Sequence, residues 1–189
     1  MMGEQEILKL FEGTGALLKG HFKLSSGLHS EDYFQCALLL QQPAIAEGLC
    51  KELAGYFKDD KPTCVVAPAL GGVIVSHETA RALKVRALFT ERLDGRMTLR
   101  RGFELKEGDR VLVVEDVITT GLSTNEVLEV VRSKGAEIIG VGCIVDRSGK
   151  NLDFGVKLKS LVKLTFPTYK PEDCPLCQKG IGITKPGSR

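Results

Sequence analysis

The sequence predicts an α/β domain built on a central, mostly parallel sheet flanked by helices, and three observations carry that expectation. Short runs rich in β-branched residues, CVVAPA (64–69), RVLVVED (110–116) and EIIGVGCIVD (137–146), have the continuous apolar character of strands buried on both faces. Segments with helical spacing, GVIVSHETARAL (72–83) and STNEVLEVVRSKG (123–135), stand between such runs. The 189 residues, 43% hydrophobic and 26% charged, suit one compact domain spanning 1–189, which buries about 70% of its unfolded surface.

In chain order, Ile7, Leu8 and Phe11 predict a first helix that breaks near Gly13 and Gly15, ahead of Leu17 and Leu18. GHFKLSSGLHSEDYFQCALLL (20–40) reads as two short extended pieces around a Ser/Gly/His turn. Ile45, Leu49, Leu53 and Phe57 then share one helical face, with Pro43 suited to a first turn. Between Glu91 and Val111 almost twenty residues show little core pattern and include Arg92, Arg96, Arg100 and Arg101. A mobile lid and a solvated charged hairpin both fit that stretch. The last thirty residues, strand-like VKLKSLVKLTF and then FPTYKPEDCPLC, are expected to be appended to the sheet.

Composition narrows the partners. A net charge of +2 with interspersed signs gives no field for nucleic acid or a membrane, and no run of about 18 apolar residues is present to span a bilayer. MMGEQEILKLFEG lacks the pattern of a secretory leader, so a cytoplasmic location is expected. Cys36, Cys50, Cys64 and Cys143 lie in apolar stretches as small hydrophobes, without the spacing of a disulfide framework. Cys174 and Cys177 form half of a zinc site, but with no second CxxC and no HxxxH the expectation is an uncommitted thiol pair and no protein-held metal.

The chemistry concentrates in VLVVEDVITTGLSTNEVLEVV (111–131). An apolar strand ends in Glu115 and Asp116, expected to face solvent, and a turn with Thr119, Thr120, Gly121 and Ser123 opens a helix. Ligands of open α/β sheets bind beyond the carboxyl ends of the strands. Free N–H groups at a helix start attract a phosphate, and four hydroxyl residues between 119 and 124 exceed what one N-cap needs. The acids suit hydroxyl donors or a metal ion; the P-loop alternative fails for want of G-x-x-x-x-G-K-[ST].

This acid pair, two residues, then Thr-Thr-Gly resembles the motif of type I phosphoribosyltransferases that binds phosphoribosyl pyrophosphate (PRPP). That resemblance implies that Glu115 and Asp116 meet the ribose hydroxyls, while Val117, Ile118, Thr119, Thr120, Gly121, Leu122 and Ser123 form the PRPP loop. GHFKLSSGLHSEDYFQ resembles the hood over the base (about 20–40) in the orotate branch, PALGG its pyrophosphate loop, and VDRSG its orotate site. The resemblance therefore implies that Arg147 and Thr119 contact orotate, that Tyr33 and Phe34 border it, and that Ala69, Leu70, Gly71 and Gly72 hold pyrophosphate around a cis Ala69–Leu70 peptide. It also implies transfer of the 5-phosphoribosyl group from PRPP to orotate, giving orotidine 5-monophosphate in pyrimidine synthesis, with Mg held mainly by PRPP and a homodimer sharing its active sites.

The chain carries Gly71 and Ser25 where much of the orotate branch has lysine, and its arginine loop lacks that branch's lysine and histidine; Arg92 and Arg96 are the expected substitutes. A purine-type enzyme is disfavoured by VDRSG and the hood. A PRPP-sensing regulator is disfavoured because no DNA-binding element precedes the first strand.

Overall fold

The computed structural model describes residues 2–24 and 26–186; Ser25 lies outside them. Its elements are α1 (Glu4–Gly13), β1 (Leu17–Lys23), β2 (His29–Phe34), α2 (Cys36–Leu40), α3 (Pro43–Gly55), β3 (Cys64–Pro68), α4 (Gly71–Leu83), β4 (Arg86–Leu93), β5 (Arg96–Leu99), β6 (Arg110–Ile118), α5 (Leu122–Ser133), β7 (Glu137–Asp146), β8 (Leu158–Lys163) and α6 (Pro175–Gln178). Six strands form the main sheet in the order β5-β4-β3-β6-β7-β8. All neighbours are parallel except β4 and β5. No helix among the described residues is long and apolar enough to cross a membrane.

Side chains alternate across a strand, and β6 uses both faces. Leu112 and Val114 join Leu49, Leu53 and Phe57 and the α1 residues Ile7 and Phe11 on one side. Val111 and Val113 meet Val127, Leu128 and Val131 of α5 on the other. The continuous apolar runs therefore become the central strands, as their composition predicts.

One local expectation changes. CALLL is a short helix, because Cys36, Leu39 and Leu40 turn into the core; so brief an apolar run does not distinguish strand from helix. The arginine-rich stretch, for which a lid and a charged hairpin were both open, begins as an antiparallel β4–β5 hairpin. Its tip, Asp94–Gly95, has positive φ at both residues (50° and 79°), the backbone that an Asp-Gly hairpin turn requires.

β1 and β2 form a separate antiparallel hairpin, the expected hood. The tail returns to it at two places: Tyr169 bridges His29, and Thr184 bridges Phe22.

Gly140 on β7 faces Phe57, just past α3: a Cβ there would stand 2.6 Å from Cε1 of this fully buried ring. Overpacking of this kind costs about 1–3 kcal/mol. Gly140→Ala should lower the urea midpoint accordingly, whereas Gly3→Ala, whose Cβ meets nothing within 4 Å, should change it little. Equal midpoints would mean that Phe57 yields freely.

Candidate active site

The alternation that builds the core continues through the acids at the end of β6. Glu115 falls on the α5 side and accepts a short hydrogen bond from the Thr124 hydroxyl. Asp116 falls on the α4 side, where its carboxylate occupies the space a side chain on Gly71 would need. Glycine at position 71 thus has a local steric reason. Both acids are half-buried, which corrects the expectation of a solvent-facing strand end. Burial pushes the Glu115 carboxyl up to about 8; the Thr124 hydrogen bond opposes that rise, and Asp116 and Glu126 add to it. Burial also raises Asp116, against the N–H groups of Val117 and Asp116 itself.

Beyond them the chain turns. Val117 and the buried Ile118 finish the strand, and Thr119 and Thr120 are exposed. Gly121 has φ 78° and lies so close to the Phe154 ring that a Cβ would approach it to 3.1 Å. The Leu122 N–H donates to Thr120 Oγ1 at 3.3 Å, and no side chain caps α5. Its first turn, with exposed Leu122 and half-buried Ser123, is left to receive an anion. Thr124, counted by sequence among the hydroxyls of this turn, instead holds Glu115.

Arg147 follows β7, and its N–H donates to the Ile118 carbonyl at 2.8 Å, so it sits next to the turn. Its guanidinium lies 4.7 Å from the Phe166 ring centroid, and its buried Nε has no acceptor among the described residues. Burial lowers its pKa, while Tyr33 and Asp32 pull the other way. Tyr33 responds in turn: burial raises its phenol, Arg147 lowers it and Asp116 raises it. Tyr33, Arg147 and Asp116 are therefore electrostatic neighbours.

Phe34 is not brought to this crevice. It is the next residue along β2, so it points to the opposite side, buried against Phe11 with ring centroids 4.5 Å apart. Phe166 and Phe154, unremarked in the sequence, pack against Arg147 and Gly121 instead; single aromatics without periodicity gave no signal.

At the end of β3 the Ala69–Leu70 peptide is cis, as the resemblance implied. The Ala69 N–H donates to the Thr90 carbonyl at 2.7 Å, and Gly71 and Gly72 open α4, which has no side-chain cap. Two uncapped helix starts thus stand at the same end of the sheet. Arg92 is held by the Glu126 carboxylate of α5, and Arg100 and Arg101 pair with Glu91 at 3.4 and 2.9 Å. Arg96 is exposed on β5, with no side-chain partner among the described residues.

Known proteins share this arrangement. Residues 37–163 match the family described as the phosphoribosyl transferase domain. The orotate phosphoribosyltransferase of Pelotomaculum thermopropionicum is 55% identical over 188 residues, covering 100% of this chain and 99% of that protein. That of Thermotoga maritima is 54% identical over 183 residues, covering 97% and 98%. The crystal structure of orotate phosphoribosyltransferase from Aeropyrum pernix superposes with a TM-score of 0.72 at 29% identity, over 84% of this chain and 93% of that one.

Burial of Glu115 makes stability depend on pH. An unfolded glutamate titrates near 4.3, so with a folded value of about 8 the folded chain keeps this proton over the interval between. The resulting stabilisation is fully present below about pH 4 and is lost as pH rises through about 8. Glu115→Gln removes the group, so its unfolding free energy relative to wild type should improve by up to a few kcal/mol between about pH 5 and about pH 9. Urea titrations at both values read the difference; parallel profiles would show that the carboxyl is not perturbed by folding.

Proposed function

The chain belongs to the phosphoribosyltransferase family, in its orotate phosphoribosyltransferase branch, and from that premise we propose how its own residues divide the work. The reaction joins orotate to the 5-phosphoribosyl group of PRPP, releasing pyrophosphate and giving orotidine 5-monophosphate in pyrimidine synthesis. The observation that carries the residue assignment is the Arg147–Ile118 hydrogen bond, which sets a guanidinium with a free buried donor beside an uncapped, hydroxyl-rich turn.

In this reading the turn from Thr119 to Ser123 and the first N–H groups of α5 bind the 5-phosphate, with Val117 and Ile118 anchoring the loop. Asp116 and Glu115 accept hydrogen bonds from the ribose diol. Arg147, with Thr119, takes the carboxylate and imide edge of orotate through its planar fork, and Tyr33 borders the base. The N–H groups from Ala69 to Gly72 hold pyrophosphate.

As the bond from the anomeric carbon to pyrophosphate oxygen breaks and the bond to the base nitrogen forms, positive charge builds on the ribose ring. Asp116 and Glu115, ionised once the ribose hydroxyls donate to them, stabilise that charge without reorganising. Glu115, Asp116, Thr119 and Thr120 offer oxygen donors only, the ligand type that Mg2+ favours; a Mg2+ held mainly by PRPP would supply charge neutralisation for the departing diphosphate. We read the chain as cytoplasmic, since buried unpaired thiols suit a reducing compartment.

We assign a homodimer in which the β4–β5 hairpin reaches the neighbouring site. Arg92 braces that hairpin on Glu126, and Arg96 is free to meet pyrophosphate. Mixing inactive Arg96→Ala and Asp116→Asn subunits should restore activity towards half of wild type per dimer once heterodimers are verified by mass. Verified heterodimers that stay inactive would remove the shared site.

The base site has its own test. Arg147→Ala should raise the orotate KM by roughly ten- to a hundredfold, the loss expected for a charged hydrogen bond, while the thermal shift produced by PRPP with Mg2+ stays as in wild type. Loss of the PRPP shift instead would move Arg147 out of the base site, and absence of orotidine 5-monophosphate from the wild-type reaction would end the functional reading itself.

A further inference from the structure

We propose that His21, His29, Cys174 and Cys177 form a closed, tetrahedral structural zinc site that fastens the C-terminal tail to the hood hairpin. The four come from three elements: His21 on β1, His29 on β2, and Cys174 and Cys177 at the start of α6. One ligand atom from each lies within 4.8 Å of all the others.

Three of the six separations match the edges of a coordination tetrahedron. With zinc–nitrogen distances of about 2.0–2.1 Å and zinc–sulfur distances of about 2.3 Å, the tetrahedron's edges are roughly 3.3–3.8 Å. Cys174 Sγ lies 3.5 Å from His21 Nε2, Cys177 Sγ 3.7 Å from the same nitrogen, and Cys177 Sγ 3.3 Å from His29 Nδ1. The two ring nitrogens are 3.0 Å apart, somewhat inside that range. A hydrogen bond between two buried imidazoles explains the last distance alone; it does not explain Cys177 beside both rings and Cys174 beside His21.

The surroundings point the same way. The other nitrogen of His21, Nδ1, lies 2.7 Å from the Ile181 carbonyl. A carbonyl only accepts, so Nδ1 carries the proton and Nε2 turns a lone pair to the cluster, the orientation that a backbone carbonyl gives a metal-bound histidine. His21, His29 and Cys174 are buried and Cys177 is exposed, which leaves one open side for entry. Two thiolates with two imidazoles suit zinc, and four protein ligands leave no position for chemistry.

The site also fills a need. A two-stranded hairpin is marginal by itself, and between residues 164 and 186 only Cys174 and Leu176 are buried. A metal bridge closing a loop of this length supplies what that thin core lacks. Sequence spacing hid the set because the histidines sit on a hairpin seven residues apart in between, far from the CxxC.

The test uses the full chain, purified reduced and without chelator. Elemental analysis should find one zinc per chain. Chelation should lower the melting temperature and added zinc should restore it. Co2+ in place of zinc should give tetrahedral visible bands with thiolate charge transfer. Cys177→Ser, altering the exposed ligand, should keep its circular dichroism, lose much of the charge transfer and bind zinc at least about tenfold more weakly, while His77→Ala binds as wild type. Sub-stoichiometric binding by the reduced chain, an octahedral Co2+ spectrum, or an unchanged zinc affinity in Cys177→Ser would overturn the site. So would an intact mass two hydrogens light in the purified protein, reporting a Cys174–Cys177 disulfide in place of metal.

Discussion

The parallel ladder between β6 and β7 runs from Arg110–Glu137 to Ile118–Asp146, and the Arg147 amide extends it by one bond to the Ile118 carbonyl. That last bond joins the two halves of the crevice. It fixes where β6 releases the chain into the Thr119–Gly121 turn, and in the same step where the guanidinium of Arg147 stands. Because the preceding residues are buried on both faces, the register has no freedom to slip: a shift of one residue would exchange Leu112 and Val114 with Val111 and Val113. The hydrophobic pattern of the central strand therefore sets the distance between the groups proposed to meet the sugar phosphate and the base.

The same strand carries the fold's main electrostatic liability. Two carboxylates follow each other at the edge of a close-packed core, yet the pleat sends them to opposite faces, so each finds its own donors instead of repelling the other at contact distance. Glu115 has the Thr124 hydroxyl, and Asp116 has backbone N–H groups. These donors hold the acids in place, while burial leaves both short of compensation. In the proposed assignment ribose hydroxyls add the missing donors and favour the ionised forms.

The central strands were readable because CVVAPA, RVLVVED and EIIGVGCIVD have one reason to exist, burial on both faces, and composition alone reports it. The acids, the turn and Arg147 were readable because they follow those strands directly. Phe34 was placed beside Tyr33 by resemblance alone, and the pleat turns it to the other side, against Phe11. The β4–β5 hairpin was one of two readings of the charged stretch, and Asp94–Gly95 between paired residues is the signal that decides for it. The convergence of His21 and His29 on the CPLC segment was beyond local reading, since it depends on where the tail crosses the hood.

That crossing also orders events during synthesis. The hood hairpin emerges from the ribosome early, but the residues that bridge its two edges, Tyr169 and Thr184, are made more than a hundred residues later. Until then the His21 carbonyl, the Lys23 N–H and the N–H and carbonyl of His29 have no chain to pair with, and an open strand edge recruits whatever strand is nearest. Translation speed through the last third of the chain, and the presence of a chaperone while it lasts, therefore bear on how much protein reaches the folded state, independently of how stable that state is.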